Sequence, residues 1–507
     1  MRITGDRTIG NASARAGLAG LLFLCGCSTA GKVTGIDDQT ATATQSETGA
    51  CTTYAGGVSR IVVSYNDETN ESQHIAYGSS TRKVVAGASL MGWSYSEDGG
   101  TKWTYGGKVA PPEGWAVLWG DPAMTASSTR YSVAFLSNLA VPVSKFPPGG
   151  IDGPFYSGGD IRSSPIGGAC IAKSTDGGRT FQPYQCVSNK AAISDLPEST
   201  NGHFYDGGSM ASSPSGEIFA AYVDVAASAI DVWRAANESQ LFQPMPPPFP
   251  GMVAASHPRL RVGPDGALYA AAQFSTGYST FQVFLNRYAG NAWGSPVLAS
   301  DPSELYPQID LNSNVLGSEL TLRTGPQFSF DVGAASEGGK DAIRLLYTRS
   351  SGKRLYLAAS VCPSDLAGGC YRMANWGTPP PSDNETPIDA FNPNVTAWSG
   401  FIGLPPSWQA TYVYRYGKSV TGVYVARQTL GYVNGGPFTI PVDLVRNTPV
   451  CSDGRGYWTD YDAMLVTGFH APATTFLRFV TDSSKGCTER WTFTGKAQHV
   501  QAVKYDY

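Results

Sequence analysis

Residues 174–181 read Ser-Thr-Asp-Gly-Gly-Arg-Thr-Phe, and this stretch decides the fold that we expect for the chain. The Asp-Gly-Gly run favours a tight turn, because glycine adopts a positive φ without steric cost. The short side chain of Asp176 can accept hydrogen bonds from the local backbone and hold that turn. Phe181 then begins a strand and can place its ring beneath the hairpin. The stretch therefore predicts a β-hairpin with a polar turn and an aromatic anchor.

The pattern occurs again on both sides of this stretch. Residues 96–103 read Ser-Glu-Asp-Gly-Gly-Thr-Lys-Trp, and residues 234–244 form a degenerate copy that aligns without gaps on residues 173–183. The positions that define the motif are Ser96, Asp98, Gly100 and Trp103 in one full copy and Ser174, Asp176, Gly178 and Phe181 in the other. Such repetition predicts a protein built from similar structural units.

These residues resemble the Asp-box, or BNR repeat, of the sialidase superfamily. The resemblance implies an all-β fold, a sialidase-like β-propeller in which the box caps the outer hairpin of a blade. In that superfamily the box is a folding motif that lies far from the active site, and it also occurs in propellers that are not enzymes. We therefore expect the two full boxes to be structural.

The composition supports an all-β chain and excludes a nucleic-acid partner. Only 15% of the 507 residues are charged and the net charge is −4, so no basic field is available for phosphates. The 59 glycines and 34 prolines suit many short strands joined by turns. No long segment shows the apolar periodicity of a helix.

The N-terminus predicts export. Arg2, Arg7 and Arg15 precede a short apolar stretch, residues 16–24, which is too short to span a bilayer. The following Leu-Cys-Gly-Cys resembles the lipobox of bacterial lipoproteins, which makes Cys27 the lipidated residue; an ordinary secretory signal is the alternative. We expect a signal peptide over residues 1–27, a flexible tether over 28–50 and one propeller domain over 51–507, lipid-anchored in the bacterial cell envelope.

Seven cysteines follow Cys27, and an exported protein can form disulfides. Cys170 and Cys186 are symmetric about Gly178, which places them opposite each other on paired strands. The pairs that we predict are Cys170 with Cys186, Cys362 with Cys370, and Cys451 with Cys487, which leaves Cys51 unpaired. Without a Cys-x-x-Cys motif or clustered histidines, we expect neither a metal site nor a cofactor.

A unit of about 50 to 85 residues recurs along the chain, the size of a four-stranded blade with variable loops. Each unit opens with a polar residue, often before proline. We count seven units, the first a partial one at residues 60–67, whereas the sialidase superfamily has six blades; seven is favoured and six is the alternative. A strand near residues 500–507 is expected to join the first blade.

Residues 140–168 are rich in proline and glycine and predict a functional or mobile insertion.

The polar residues at the unit starts are the candidate ligand-binding site. The innermost strand of each blade lines the channel, so aligned starts predict a ring of carboxylates, imidazole, phenol and guanidinium. The candidates are Asp121, Asp206, His257, Arg259, Tyr306, Asn392 and Asp460. The alternative is that Asp and Asn residues cap turns at blade entries.

The catalytic residues of the sialidase family are not matched. That family uses three arginines, a Tyr–Glu pair and an Asp acid, and its first arginine lies in a Phe/Tyr-Arg-Ile-Pro motif. The nearest match is Ser-Arg-Ile-Val at residues 59–62, which lacks the aromatic and the proline. We expect Glu217 in a turn, and no Tyr–Glu pair is assigned.

Six aromatic residues lie between positions 93 and 119. They can either pack between blades or form a platform on which the sugar rings of a glycan stack.

Two functions follow. The favoured one is a monomeric, membrane-tethered binding module for glycans or a cell-surface protein. The alternative is a sialidase-like glycoside hydrolase, or another polysaccharide-cleaving enzyme, that uses the polar ring. Three arginines that converge with a Tyr–Glu pair would indicate the hydrolase and so distinguish it from the binding module.

Overall fold

The structure is a computed structural model, and its description covers part of the chain. The described residues are 32–36, 45–67, 75–77, 82–146, 151–153, 167–188, 205–225, 227–253, 255–277, 280–300, 321–323, 328–334, 341–351, 354–372, 387–398, 407–416, 423–433, 436–448, 455–457, 464–467, 475–482 and 499–506.

The described residues are almost entirely β-structure. The strands of the N-terminal half are β1 (Lys32–Gly35), β2 (Gln45–Ala55), β3 (Val58–Asp67), β4 (Ile75–Tyr77), β5 (Arg82–Val84), β6 (Met91–Ser96), β7 (Thr104–Lys108), β8 (Trp115–Ala126), β9 (Ala134–Pro142), β10 (Ile151–Gly153), β11 (Gly168–Ser174), β12 (Gln182–Val187), β13 (Tyr205–Ser212), β14 (Ile218–Asp224), β15 (Ala229–Ala235) and β16 (Gln243–Pro244). One turn of 3-10 helix, Val143–Lys145, follows β9.

The C-terminal half continues in the same way. Its strands are β17 (Ala255–Val262), β18 (Leu268–Gly277), β19 (Thr280–Ala289), β20 (Ala292–Trp293), β21 (Val297–Leu298), β22 (Thr321–Arg323), β23 (Phe328–Ala334), β24 (Asp341–Ser351), β25 (Arg354–Pro363), β26 (Tyr371–Arg372), β27 (Pro387–Trp398), β28 (Ser407–Tyr416), β29 (Val423–Val433), β30 (Gly436–Thr448), β31 (Arg455–Tyr457), β32 (Met464–Thr467), β33 (Thr475–Asp482) and β34 (His499–Asp506).

These strands form successive antiparallel sheets, which we number by their first strands. Sheets 1 to 7 begin with β2, β8, β13, β17, β23, β27 and β32, and each contains four or five strands. The first strands contact one another in sequence, β2 with β8, β8 with β13, β13 with β17, β17 with β23, and β23 with β27. Consecutive sheets whose first strands meet are the architecture of a β-propeller, and the number of blades stays a prediction.

Separate apolar clusters fill the seams between neighbouring sheets. Because side chains alternate across a strand, Leu136 on β9 joins the cluster toward sheet 1, whereas Phe135 joins the cluster toward sheet 3. Phe219 and Leu260 belong to the seam of sheets 3 and 4, and Phe330 to that of sheets 4 and 5. Sheets 2, 3 and 4 are thus held by burial on both faces.

The two ends of the chain meet in the last sheet. Strand β34 pairs with β33 on one side and with β1 on the other. The N-terminal strand therefore joins the last sheet, and the expectation that the C-terminal strand joins the first blade is wrong. Two parts of the predicted tether are strands, namely β1 and the beginning of β2 at Gln45, so a flexible segment over all of residues 28–50 is also wrong.

The predicted insertion begins later than expected. Strand β9 continues to Pro142, and β11 begins at Gly168. Within the insertion, β10 pairs with β5, a strand from the connection between β3 and β6, and β5 also pairs with β4. The segment therefore contacts a second insertion that the sequence did not indicate.

Both full Asp-boxes close their hairpins as the sequence predicts. Asp176 Oδ1 accepts hydrogen bonds from the amides of Arg179 at 3.1 Å and Thr180 at 3.0 Å, and Ser174 Oγ accepts from the Gly178 amide at 2.8 Å. Gly178 has a φ of +84°, which only glycine adopts readily. Burial raises the pKa of Asp176, but hydrogen bonds from Thr180 and Ser174 outweigh it and lower the pKa overall.

The second Asp-box and the degenerate copy follow the same plan. Asp98 Oδ1 accepts from the amides of Thr101 at 3.0 Å and Lys102 at 2.9 Å. Phe181 is 4% exposed, and Trp93 packs edge-on against it with ring centroids 5.2 Å apart. Phe242 of the degenerate copy is 1% exposed, so it keeps the anchor although the Asp is lost.

Two of the three predicted disulfides are confirmed. Cys170 is paired with Cys186 across β11 and β12, and Cys362 with Cys370. Cys51 is buried and not disulfide-bonded, as expected. The third predicted pair, Cys451 with Cys487, lies outside the described residues, and so does Cys27.

Candidate functional site

A bulge recurs on the first strands of the sheets. On β8 the regular pairing with β9 stops at Gly120 and resumes at Ala123, which leaves Asp121 and Pro122 outside the ladder. On β17 the pairing with β18 stops at Ser256 and resumes at Arg259. Such bulges re-aim side chains and are common beside functional sites. The matching irregularities on β2, β13 and β27 fall at Ser46/Thr48, Asp206/Gly208 and Phe391/Asn394.

The bulges on β8, β13 and β17 share one backbone conformation. Asp121 has a φ of +57°, Gly207 of +55° and His257 of +51°. A positive φ is costly for residues with a Cβ, so the surrounding structure must hold Asp121 and His257 in place. Strained backbone of this kind is typical of binding and catalytic positions.

The sequence alignment of the unit starts is wrong by one residue in sheet 3. Gly207, not Asp206, matches Asp121 and His257, because it occupies the bulge with the positive φ. Asp206 comes one residue earlier, where it pairs with Val223. Gly207 takes the place of Asp121 and His257, and Gly208 takes the place of the prolines that follow them, so no polar residue before proline marks the bulge in this unit.

Asp121 and Asp206 nevertheless meet at one point. The amide of Gly207 lies 3.1 Å from Asp121 Oδ2 and 3.0 Å from Asp206 Oδ1. One carboxylate comes from sheet 2 and the other from sheet 3, so the hydrogen bond from Gly207 to Asp121 spans the seam between them. The structure therefore brings together two predicted carboxylates on neighbouring first strands.

Two asparagine side chains hold the strained peptide of β8. Asn66 Oδ1, at the end of β3, accepts a hydrogen bond from the Asp121 amide at 3.0 Å. Asn138 Oδ1, on β9, accepts from the Gly120 amide at 2.5 Å. Neither residue was a candidate from the sequence, because their role depends on cross-strand pairing and not on a motif.

Arg259 brings a positive charge to the same region, and His257 lies close enough to interact with it. Burial is the main cause that lowers the pKa of His257 to about 4; the positive charge of Arg259 acts in the same direction, and the carboxylate of Asp121 acts against both. His257 is therefore neutral near pH 7. We call Asp121, Asp206, His257 and Arg259 the bulge cluster; all of them are half-buried.

The remaining candidates are not placed with the bulge cluster. Tyr306 and Asp460 lie outside the described residues. Asn392 falls in the matching bulge of β27, but its side chain is not among those described. The ring as a whole therefore stays a prediction, and three neighbouring sheets carry the part that is described.

Arg60, the nearest match to the first sialidase arginine, lies at the other end of its strand. Its Nε contacts Glu97 of the first Asp-box at 2.6 Å, and its Nη1 donates to the Asp176 carbonyl at 3.3 Å. Asn66 on the same strand contacts the bulge cluster six residues away, about 20 Å along a strand. Arg60 is therefore part of the Asp-box end.

Glu217 lies in a turn, as expected. Its amide donates to Ser213 Oγ at 3.1 Å, and its carboxylate contacts Arg234 at 2.5 Å. Trp93 and Trp115 are 4% and 6% exposed, which confirms the packing interpretation for these two aromatic residues.

The described part of the chain holds no group of three or more His, Cys, Asp and Glu side chains that could bind a metal ion. It also holds no helix with the length and apolar character needed to cross a membrane.

No protein-family model matches the chain. No curated protein matches it either. The NanB sialidase from Streptococcus pneumoniae is a similar solved structure, with 12% identity over 82% of this chain and 71% of that one and a TM-score of 0.46. A leech intramolecular trans-sialidase has 13% identity over 77% and 67%, with a TM-score of 0.42. An α-L-arabinanase from Penicillium chrysogenum has 10% identity over 94% and 98%, with a TM-score of 0.41. At identities and TM-scores this low, the similarities carry no argument about chemistry. That argument rests on the bulge cluster.

Proposed function

We propose that the protein is an exported propeller that binds glycans at the bulge cluster. The observation that carries this proposal is the meeting of Asp121 and Asp206 at the Gly207 amide. Carboxylates kept close together on first strands are unfavourable for the fold alone, because like charges repel. They are well suited to a ligand that donates several hydrogen bonds.

Sugar hydroxyl groups are such a ligand. Carboxylates accept hydrogen bonds from hydroxyl groups, and the guanidinium of Arg259 donates them. Both kinds of group are half-buried here, so their hydrogen bonds are less weakened by water than those of exposed side chains. A polyhydroxylated ring can contact all of them at once.

A glycan array with neutral, sialylated and uronic-acid glycans tests the proposal. We expect the wild-type protein to bind one class, and Asp121→Asn to lose that signal, since Asn keeps an oxygen for the Gly207 amide but lacks the charge. The matched control is Glu113→Gln, which changes an exposed carboxylate outside the cluster. Absence of wild-type binding, or equal binding by Asp121→Asn, would refute the proposal.

A glycoside hydrolase is the second candidate, and the same carboxylate pair favours it. Most such enzymes use two carboxyl groups that flank the scissile bond. Release of reducing ends from 3′-sialyllactose, arabinan or xylan by the wild type, and its loss in Asp121→Asn and Asp206→Asn, would establish hydrolysis. Binding without product release would leave the binding module as the supported function.

We also propose that Cys27 carries a lipid that anchors the protein in the cell envelope. The support is the lipobox-like Leu-Cys-Gly-Cys after a short apolar stretch. Membrane fractionation of a Cys27 variant, described in the Discussion, is the test.

A further inference from the structure

We propose that Gln273, Ser256 and His257 form an uncharged subsite that binds a pair of neighbouring hydroxyl groups of the glycan. The inference rests on the proposed function and assigns one part of the bulge region to one chemical group of the ligand. Ser256 and Gln273 are direct partners across β17 and β18, and His257 follows Ser256 in the bulge. We call these three residues the neutral subsite.

The neutral subsite contains four buried polar atoms that lack a hydrogen-bond partner. Among the described residues, Gln273 Nε2, Gln273 Oε1, Ser256 Oγ and His257 Nδ1 are buried and form no hydrogen bond. Gln273 is 0% exposed. A buried amide without partners destabilises a fold, and native proteins rarely leave both of its ends unpaired. Such a group is expected to have a partner that binds from outside the chain.

The fold does not require an amide at this position. The matching residue is Leu139 in sheet 2 and Val223 in sheet 3, each paired with the residue just before the bulge. Both are nearly fully buried, and they pack toward the next sheet. Gln273 thus replaces an apolar residue of the seam, and packing alone does not explain the replacement.

The matching position in sheet 1 shows what an amide does when the fold uses it. There the residue is Asn66, which pairs with Ser46 before the bulge. Its Oδ1 accepts the Asp121 amide of the next sheet at 3.0 Å. Gln273 makes no such bond among the described residues, so its amide remains available.

The chemistry of the neutral subsite selects hydroxyl groups. A glutamine amide presents one donor and one acceptor side by side, and a serine hydroxyl presents both. His257 is uncharged near neutral pH and adds one more donor or acceptor. An anion would find no cation among these three residues, whereas two neighbouring hydroxyl groups can satisfy both ends of the amide.

Two of the three residues of the neutral subsite are partly exposed. Ser256 and His257 are half-buried, whereas Gln273, the register partner of Ser256, is 0% exposed. Arg259 and the charged oxygens of Asp121 are close enough to act on His257. A sugar ring held by the bulge cluster is therefore placed beside the neutral subsite.

The test compares Gln273→Leu with the wild-type full chain. Calorimetric titration with lactose, xylobiose, arabinobiose and 3′-sialyllactose gives the affinities, and thermal unfolding gives Tm. We expect Gln273→Leu to lower the affinity for the probe that binds by about three- to tenfold, the usual worth of one or two hydrogen bonds. Its Tm should stay equal or rise, since leucine is the residue that sheet 2 carries at this position.

Two further variants distinguish a role of the Gln273 amide in ligand binding from a role in the fold. Ser256→Ala should weaken binding without changing Tm. Val223→Gln, the matched control, places an amide in the seam of sheet 3 and should lower Tm without changing affinity. A lower Tm for Gln273→Leu, whatever its affinity, assigns the amide to the fold and overturns the inference. Unchanged affinity overturns it as well, whereas failure of all four probes to bind the wild type refutes the proposed function with it.

Discussion

The carboxylate of Glu97 lies 2.6 Å from Nε of Arg60, a side chain that is only 3% exposed. The same oxygen contacts Arg179 of the second Asp-box at 2.8 Å. Gly177 lies directly against Arg60, since a Cβ there would come 2.5 Å from Nη1. The two Asp-boxes are therefore joined through one acidic residue to a buried arginine.

We predict that the two arginines around Glu97 differ in their effect on stability. Arg60→Ala should lower Tm by several degrees, because it leaves the partly buried carbonyl of Asp176 and the packing surface at Gly177 without a partner. Arg179→Ala should change Tm by about a degree or less, because Arg179 is 51% exposed and surface ion pairs contribute little. Thermal unfolding of both variants checks this, and equal losses would contradict it.

The second prediction concerns the Asp-box carboxylate. Asp176→Ala removes hydrogen bonds from two amides and two hydroxyl groups, each worth about 1 kcal/mol net, so Tm should fall by several degrees. Glycan affinity of the folded protein should be unchanged, since this end of the sheets is separate from the bulge cluster. Lost affinity at a temperature where the variant is folded would show that the two ends are coupled.

The third prediction concerns the bulge cluster. Asp121→Asn and Asp206→Asn should lower ligand affinity by about tenfold, or ~1.4 kcal/mol, because hydrogen bonds to charged acceptors are the stronger ones. Both variants keep an acceptor for the Gly207 amide, so Tm should stay within a few degrees of the wild type. If Tm drops and ligand recognition persists, the carboxylates are turn caps and the site lies elsewhere.

The fourth prediction concerns pH. The pKa of His257 is about 4 in the folded protein against 6.5 for an ordinary histidine, so the unfolded chain binds an extra proton between these values. The contribution of neutral His257 to the free energy of unfolding is fully present above pH 6.5 and is lost as the pH falls toward 4. Urea unfolding at pH 7, 6 and 5 should show a smaller decline for His257→Gln than for the wild type. A parallel decline in both proteins would assign the acid sensitivity to other groups.

The fifth prediction concerns the anchor. Cys27→Ser removes the thiol that a lipoprotein processing pathway would modify, and we expect the variant to move from the membrane to the soluble fraction. Cys25→Ser is the matched control and should stay in the membrane. A Cys27→Ser protein that remains membrane-bound with unchanged processing would refute the lipid anchor.

Local patterns could be predicted from the sequence, because the residues that form them are neighbours in the chain. The turn at Asp176, the disulfide symmetric about Gly178, and the aromatic anchors are all formed by residues no more than 16 positions apart. The unit starts at Asp121 and His257 were also visible, because a polar residue before proline marks them, but the bulges themselves were not predicted.

The rest depends on which distant strands pair, and no short pattern carries that information. Asn66 matters because β3 ends beside the bulge of β8, and Gln273 is unusual only when its register partners in other sheets are compared with it. Asp206 was aligned with Asp121 although it lies one residue before the bulge, because glycines occupy both the bulge position and the proline position in that unit. Strand β1 was missed because its partner lies near residue 504, at the opposite end of the chain.

The pairing of β1 with β34 has a consequence for the protein's position at a membrane. Only residues 28–31 separate Cys27 from the first residue of β1, Lys32. Four residues extend over at most about 14 Å, which is less than the width of a single sheet. A lipid on Cys27 would therefore fix the last sheet directly on the bilayer surface. The edge of the propeller formed by the last sheet would lie against the membrane, and the short linker would not allow the domain to move far from the bilayer.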